Sequence, residues 1–171
     1  MRKILLSLFA ASVLFACSKK DDKVSETEVD DSYTVSFIKQ PAQGKIKGTT
    51  FEYITGTFIQ DHFKTDKFEI ELFDKADFDT VGIGKLCGLG FYGTTRECYF
   101  SIPKVVGRYE LGTSTHATFK TGELNTALPM ALKGAIEIIS VTDTKMVGRI
   151  DAYESENNHI NGDFTVEFCT E

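Results

Sequence analysis

The last third of the chain alternates. Ala135 to Thr142, Lys145 to Tyr153 and Gly162 to Cys169 carry apolar residues at close to every second position. Successive side chains of an extended strand point to opposite faces, so this pattern predicts strands with one dry and one wet face. The first two runs are joined by Asp143-Thr144 alone, which predicts a tight hairpin. The pair Ile138-Ile139 interrupts the alternation and predicts a bulge, or a strand buried on both faces. Strands this short and this closely linked specify an antiparallel sheet.

The pattern extends upstream. In Lys67 to Phe73, Phe68, Ile70 and Leu72 fall on one side and Lys67, Glu69 and Glu71 on the other. Further strands are expected at Tyr33 to Gln40, within Ile46 to Gln60, at Cys98 to Ile102 and at Thr115 to Thr121. Gly56 would mark a bulge or a turn between two strands. Val106 to Gly112 reads as a turn into a short extended piece, and Asp61 to Asp66 as a turn. Gly122 to Leu132 and the polar Glu154 to Asn161 read as loops. Asp74 to Thr95, with Gly82, Gly84, Gly88, Gly90 and Gly93, reads as a long loop. It would hold one helical turn near Lys75 to Phe78 and a short strand at Leu89 to Tyr92, and long loops are often functional. No long helix and no internal repeat is evident. With 14 Phe and no Trp, the expected fold is all-β, a single antiparallel β-sandwich or barrel-like domain of about eight to ten strands over residues 33–171.

The N-terminal residues carry a different signal. Arg2 and Lys3 precede the charge-free run Ile4 to Ala16, which at 13 residues is too short to cross a bilayer, where about 20 are needed. A basic start, a short apolar run and small residues at its end make a secretory leader. Leu14-Phe15-Ala16-Cys17 resembles a bacterial lipobox. The resemblance implies cleavage before Cys17, leaving 1–16 as the leader, and acylation of the Cys17 thiol and new amino terminus. Two or three acyl chains anchor far more firmly than one. Ser18 to Ser32 is polar and acidic and cannot bury enough apolar surface to order itself, so 17–32 is expected to be a lipidated flexible tether. Lys20-Asp21-Asp22 resembles the surface-export tag of Bacteroidetes lipoproteins, and Ser18 is not the aspartate that retains lipoproteins in the inner membrane. The implied address is the outer membrane, lipid-anchored and exposed at the cell surface.

Charge narrows the partners. The formal net charge of −6 becomes −8 once Arg2 and Lys3 leave with the leader. A chain this acidic does not suit nucleic acid or anionic lipid, which both need a basic patch.

Export exposes thiols to oxidants. Beyond Cys17 there are Cys87, Cys98 and Cys169, and three cannot all pair in one chain. Cys98 is in phase with Phe100 and Ile102 and is expected to face the core as a small hydrophobe. Cys169 is out of phase with Phe164, Val166 and Phe168. Parity therefore favours a Cys87–Cys169 bridge, with Cys87–Cys98 as the alternative. Closing the shorter loop would contribute about 3 kcal/mol.

No catalytic constellation stands out. His62, His116 and His159 are far apart in sequence, and no C-x-x-C pair suggests zinc. Asp74, Asp77 and Asp79 have spacing that suits calcium oxygens, as do Glu154, Glu156, Asn157, Asn158, Asn161 and Asp163, but neither set follows the EF-hand order. The nucleophile-elbow motif Gly-x-Ser-x-Gly is missing, and the Gly82 to Gly93 stretch lacks a phosphate loop's ending. Arg96 and Arg108 read as surface charges. No metal and no cofactor is expected.

Cys98-Tyr-Phe-Ser-Ile-Pro103, Gly107-Arg-Tyr-Glu-Leu111, Gly134-Ala-Ile-Glu-Ile138, Val147-Gly-Arg-Ile150 and Asn161-Gly-Asp-Phe-Thr-Val-Glu-Phe-Cys169 together resemble a family of small flavobacterial lipoproteins of the Bacteroidetes. The resemblance spans roughly residues 45 to 169. A cysteine ahead of the Phe-Ser-Ile-Pro strand and another at the chain end recur in that family. They match Cys87 and Cys169, which implies the same bridge. The family carries no activity over. The expected function is a non-enzymatic, lipid-anchored binding module or accessory subunit of an outer-membrane complex, with an outer-membrane protein as its partner. The alternatives are a carrier holding a small apolar ligand among Phe51, Phe68, Phe100 and Phe164, or an inhibitor or immunity-like protein against an external hydrolase, acting through Gly82 to Thr95.

Overall fold

The computed structural model of the protein describes residues 33–61, 63–64, 66–75, 96–122 and 127–169. Within Ser32–Glu171, one compact unit, these residues form ten strands. They are β1 (Gln43–Ile46), β2 (Thr49–Gln60), β3 (Phe68–Asp74), β4 (Glu97–Ile102), β5 (Gly107–Glu110), β6 (Ala117–Lys120), β7 (Met130–Ala131), β8 (Lys133–Val141), β9 (Lys145–Ser155) and β10 (Asn158–Phe168). All belong to one sheet in the order β5-β8-β9-β10-β1-β2-β3-β4-β6-β7. Neighbours in this order are antiparallel. Where β1 ends, β10 and β2 meet directly and run parallel, Glu167 opposite Thr57 and Phe168 opposite Phe58.

Two observations show that the sheet curls into a barrel-like wall. Phe100 on β4 and Phe164 on β10 touch, with ring centroids 5.7 Å apart. On a flat sheet at about 4.8 Å per strand, those strands would stand at least ~14 Å apart. In addition, β7 lies at one end of the sheet and β8 next to the other end, yet Leu132 alone separates them in sequence. The two ends of the sheet must therefore approach each other.

The dry faces of the alternating strands line the inside. Ile70 and Leu72 of β3, Cys98, Phe100 and Ile102 of β4, and Ile150 and Phe164 of β9 and β10 share one buried cluster. Gly148 has a packing reason. A Cβ there would come within 2.5 Å of the Phe164 ring, so the missing side chain makes room for the aromatic opposite it. Gly134 sits at φ +116°, which side chains rarely tolerate, and a Cβ would strike the Asp151 carbonyl. At one end of the barrel, the Lys104 ammonium lies 5.2 Å from the Phe68 centroid and 5.5 Å from those of Phe58 and Phe168.

The all-β expectation holds, as do the Asp143-Thr144 hairpin and a bulge after Ile138 that turns Ile139 out to solvent. Four expectations need correction. Tyr33 to Gln40 is not a strand of the sheet; residues 33–38 form no regular element and lie outside every ladder. The segment Gly122 to Leu132 is not all loop, because Met130 and Ala131 pair with β6. Glu154 to Asn161 is hairpin, with only Glu156 and Asn157 in the turn. Its inward positions include Asn158, a polar residue that the alternation reads as wet, although its carboxamide is buried and accepts from the Lys47 amide at 2.8 Å. Gly56 lies inside the continuous β2, whose irregularity falls between Tyr53 and Thr55. Most of the helical turn near Lys75 to Phe78, and the strand at Leu89 to Tyr92, lie outside the described residues.

Candidate functional site

The segment that fails to join the sheet lies across its outer face as a strap. Two side chains hold it. Asp151 of β9 is 3% exposed and uses both carboxylate oxygens. One accepts the Tyr33 hydroxyl at 2.5 Å and the other the Ser36 amide at 2.8 Å. Asn161 of β10, directly opposite Asp151, clamps the backbone at two points. Its carboxamide accepts the Ile38 N–H at 2.9 Å and donates to the Ser36 carbonyl at 2.8 Å. Aromatic contacts complete the fit. Tyr33 stacks on Tyr153 at 5.2 Å, and the Arg149 guanidinium lies 4.5 Å from the centre of the Phe37 ring. Burial first, and then the Asp151 carboxylate, push the Tyr33 phenol well above its usual range. It is a hydroxyl donor at every physiological pH.

At Lys39-Gln40 the chain bends and enters the sheet, where the Asp163 amide donates to the Gln40 carbonyl at 2.6 Å and the Ala42 amide to the Asp163 carbonyl at 2.9 Å. Between this point and the direct meeting of β10 with β2, no strand pairs with Thr165 on the side away from β9. The Tyr53 hydroxyl fills the gap, accepting the Thr165 amide at 3.1 Å and donating to its carbonyl. A groove of about 650 Å³ opens there. Phe37, Ile38 and Pro41 wall one side, and Ile139, Val147 and Thr165 the other. Ile38 and Ile139 are 47% and 51% exposed, so its rim offers apolar surface to solvent.

A second polar cluster lies on β3, β4 and β6. Lys120 reaches Glu97 at 2.7 Å and Glu71 at 3.5 Å, with its ammonium 4.3 Å from the centre of the Tyr99 ring. Two carboxylates share one cation. Burial, followed by the Glu97 charge, raises the Glu71 carboxyl to about 7, against the opposite pull of Lys120. Burial works against the Lys120 ammonium, but Glu97 and Glu71 together raise its pKa. Every charge here has a partner inside the cluster, so it reads as a strand-pinning network.

The residues singled out from the sequence scatter. Cys17, Lys20, Asp21, Asp22, Cys87, Asp77, Asp79, His62 and all of Gly82 to Thr95 lie outside the described residues. Asp74 is buried, and its carboxylate is taken by Arg96 at 2.6 Å and the Glu52 amide at 3.2 Å rather than offered to calcium. Asn158 and Asn161 serve the Lys47 turn and the strap. Arg96 is an ion-pair partner more than a surface charge, while Arg108 pairs with Glu110 in the open. His159 is half-buried on β10. Cys98 is buried and free, and burial pushes its thiol far up; a free Cys98 excludes the alternative Cys87–Cys98 bridge. Cys169 is disulfide-bonded, to a partner outside the described residues.

Asp151, Asn161 and Tyr153 were not singled out for the site they form. Asp151 sits in an outward register of β9, where a charged residue is unremarkable, and its meaning depends on a segment 118 positions away.

No protein-family model matches the chain, and neither a curated protein nor a solved structure matches it.

Proposed function

We propose that this protein is a lipid-anchored, non-enzymatic binding module, tethered through Cys17 to the bacterial outer membrane and facing outward. Its binding surface is the outer face of β8 to β10, with the groove beside the strap. The observation that carries this reading is Cys17 itself. It closes a short charge-free run behind Arg2 and Lys3, and a polar stretch follows it up to the strap. The strap then gives the tether a fixed point of departure from the domain, since Tyr33 is pinned to Asp151 and Tyr153. A binding module is favoured over an apolar-ligand carrier because Phe100 and Phe164 meet in the interior that a carrier would keep open.

Mass spectrometry of the native N-terminal peptide tests the anchor. The expected result is a diacylglyceryl thioether at Cys17, and Cys17→Ser moves the protein into the soluble fraction. A bare thiol, or membrane partition untouched by Cys17→Ser, overturns the reading. Cross-linking on intact cells, followed by recovery from gently solubilised outer membrane, tests the module, which is expected to come away with a protein partner.

A further inference from the structure

We infer that the face formed by Asp151, Tyr153 and Asn161 is a receptor for an extended peptide, filled in cis by Tyr33 to Ile38, and that it takes the same segment from a second copy of the chain. The inference adds an occupant to the binding-module reading and does not depend on the anchor.

The geometry is that of a bound ligand rather than a strand. A strand joins a sheet through backbone ladders. Residues 33–38 make none, and are gripped by side chains rising from the outer face. Asn161 recognises peptide backbone whatever its sequence, because it meets a C=O and an N–H two residues apart. Asp151 adds a sequence requirement, since one of its oxygens accepts a phenol. Tyr153 and Arg149 add two aromatic positions four residues apart, met by Tyr33 and Phe37. The class of ligand is therefore an extended segment of the form Tyr-x-x-x-Phe.

The receptor can empty without loss of the core. Its side chains are polar or amphipathic and face outward, so water can replace the strap around them. The buried cluster lies on the other face of β9 and β10, in Ile150, Ala152, Ile160 and Phe164. The bend at Lys39-Gln40 is where the strap departs from the sheet. Exchange between copies conserves every contact, so effective concentration decides between them. A short connection gives the cis strap an effective concentration on the order of millimolar, which the strap of a second copy must rival in order to replace it.

The test uses the chain from residue 17 onward with Cys17→Ser, so that lipidation and peptide recognition are read separately. The probe is a synthetic peptide spanning Tyr33 to Gln40. In a variant carrying Tyr33→Ala and Phe37→Ala, which weakens the cis strap, the peptide is expected to bind saturably. It should shift the NMR amide signals of Asp151, Tyr153 and Asn161. Adding Asn161→Ala is expected to weaken binding at least about tenfold, a loss of roughly 1.4 kcal/mol. Peptide that leaves those signals unmoved, or that binds equally well without the Asn161 carboxamide, overturns the proposal. A second measurement covers the case in which the emptied variant does not fold. In the chain with its strap intact, an excess of the shorter peptide Tyr33 to Ile38, which has no tryptic site, is expected to speed tryptic cleavage after Lys39 several-fold by displacing the strap. Cleavage that does not respond to peptide overturns the proposal as firmly.

Discussion

Glu71 pays for its burial beside a second carboxylate. Its carboxyl is raised from an ordinary 4.5 to about 7, by burial and then by Glu97. A carboxyl whose folded pKa lies above its unfolded value contributes stability when protonated, and loses it as pH rises. The contribution is therefore full below about pH 4.5 and is gone above about pH 7. Glu71→Gln is expected to gain on the unaltered protein by about 1 kcal/mol between pH 5 and pH 8, after discounting for a side chain that is 32% exposed. Urea midpoints at the two pH values check it. Gly148 is the opposite case, a residue with no side chain whose replacement would cost. Gly148→Ala pushes a methyl toward the Phe164 ring, which in a filled interior should destabilise by about 1–3 kcal/mol, measured as a fall in urea midpoint at unchanged slope. Parity along β4 was sufficient to place Cys98 inside. Nothing in a single strand's pattern marks Gly148, because its reason stands on the neighbouring strand.

The strap shows what alternation can and cannot say about an element. Val35 and Phe37 alternate with polar residues, and burial along Tyr33 to Ile38 alternates as that pattern predicts. The pattern describes a chain with two unlike sides and is silent on who supplies the hydrogen-bond partners. Here two side chains supply them in place of a neighbouring strand. The reverse holds for β7, whose two residues are too few to show a period. At the other end of the domain, the chain stays bonded to β2 one residue past β10. The Cys169 amide donates to the Phe58 carbonyl at 3.0 Å, and the Cys169 sulfur is in a disulfide. Reducing that bond, or replacing Cys169 with Ala, is expected to lower stability by about 2–4 kcal/mol, seen as a lower melting temperature. Because Cys98 is a free thiol, Cys98→Ala should leave the effect of reductant unchanged.

For the whole molecule the curl is the controlling property. It brings β4 against β10 and lets the chain pass from β7 to β8 through one residue. It also makes Phe100 a contact between opposite walls. Phe100→Ala should therefore cost about 3–5 kcal/mol, at the high end for a core truncation, because neither wall can collapse into the space. Equilibrium denaturation checks this, and a loss below about 1 kcal/mol would mean that the interior relaxes. Most of the longer strands, their dry faces and the hairpin at Asp143-Thr144 were legible in the linear order of residues. Those features depend on which side of an extended backbone each side chain takes, a local matter. Strand order, the choice of one curled wall over two packed layers, and the meeting of Tyr33 with Asp151 were not legible. They depend on pairings between residues as much as 118 positions apart, set by closure and twist of the entire sheet rather than by any one stretch of it.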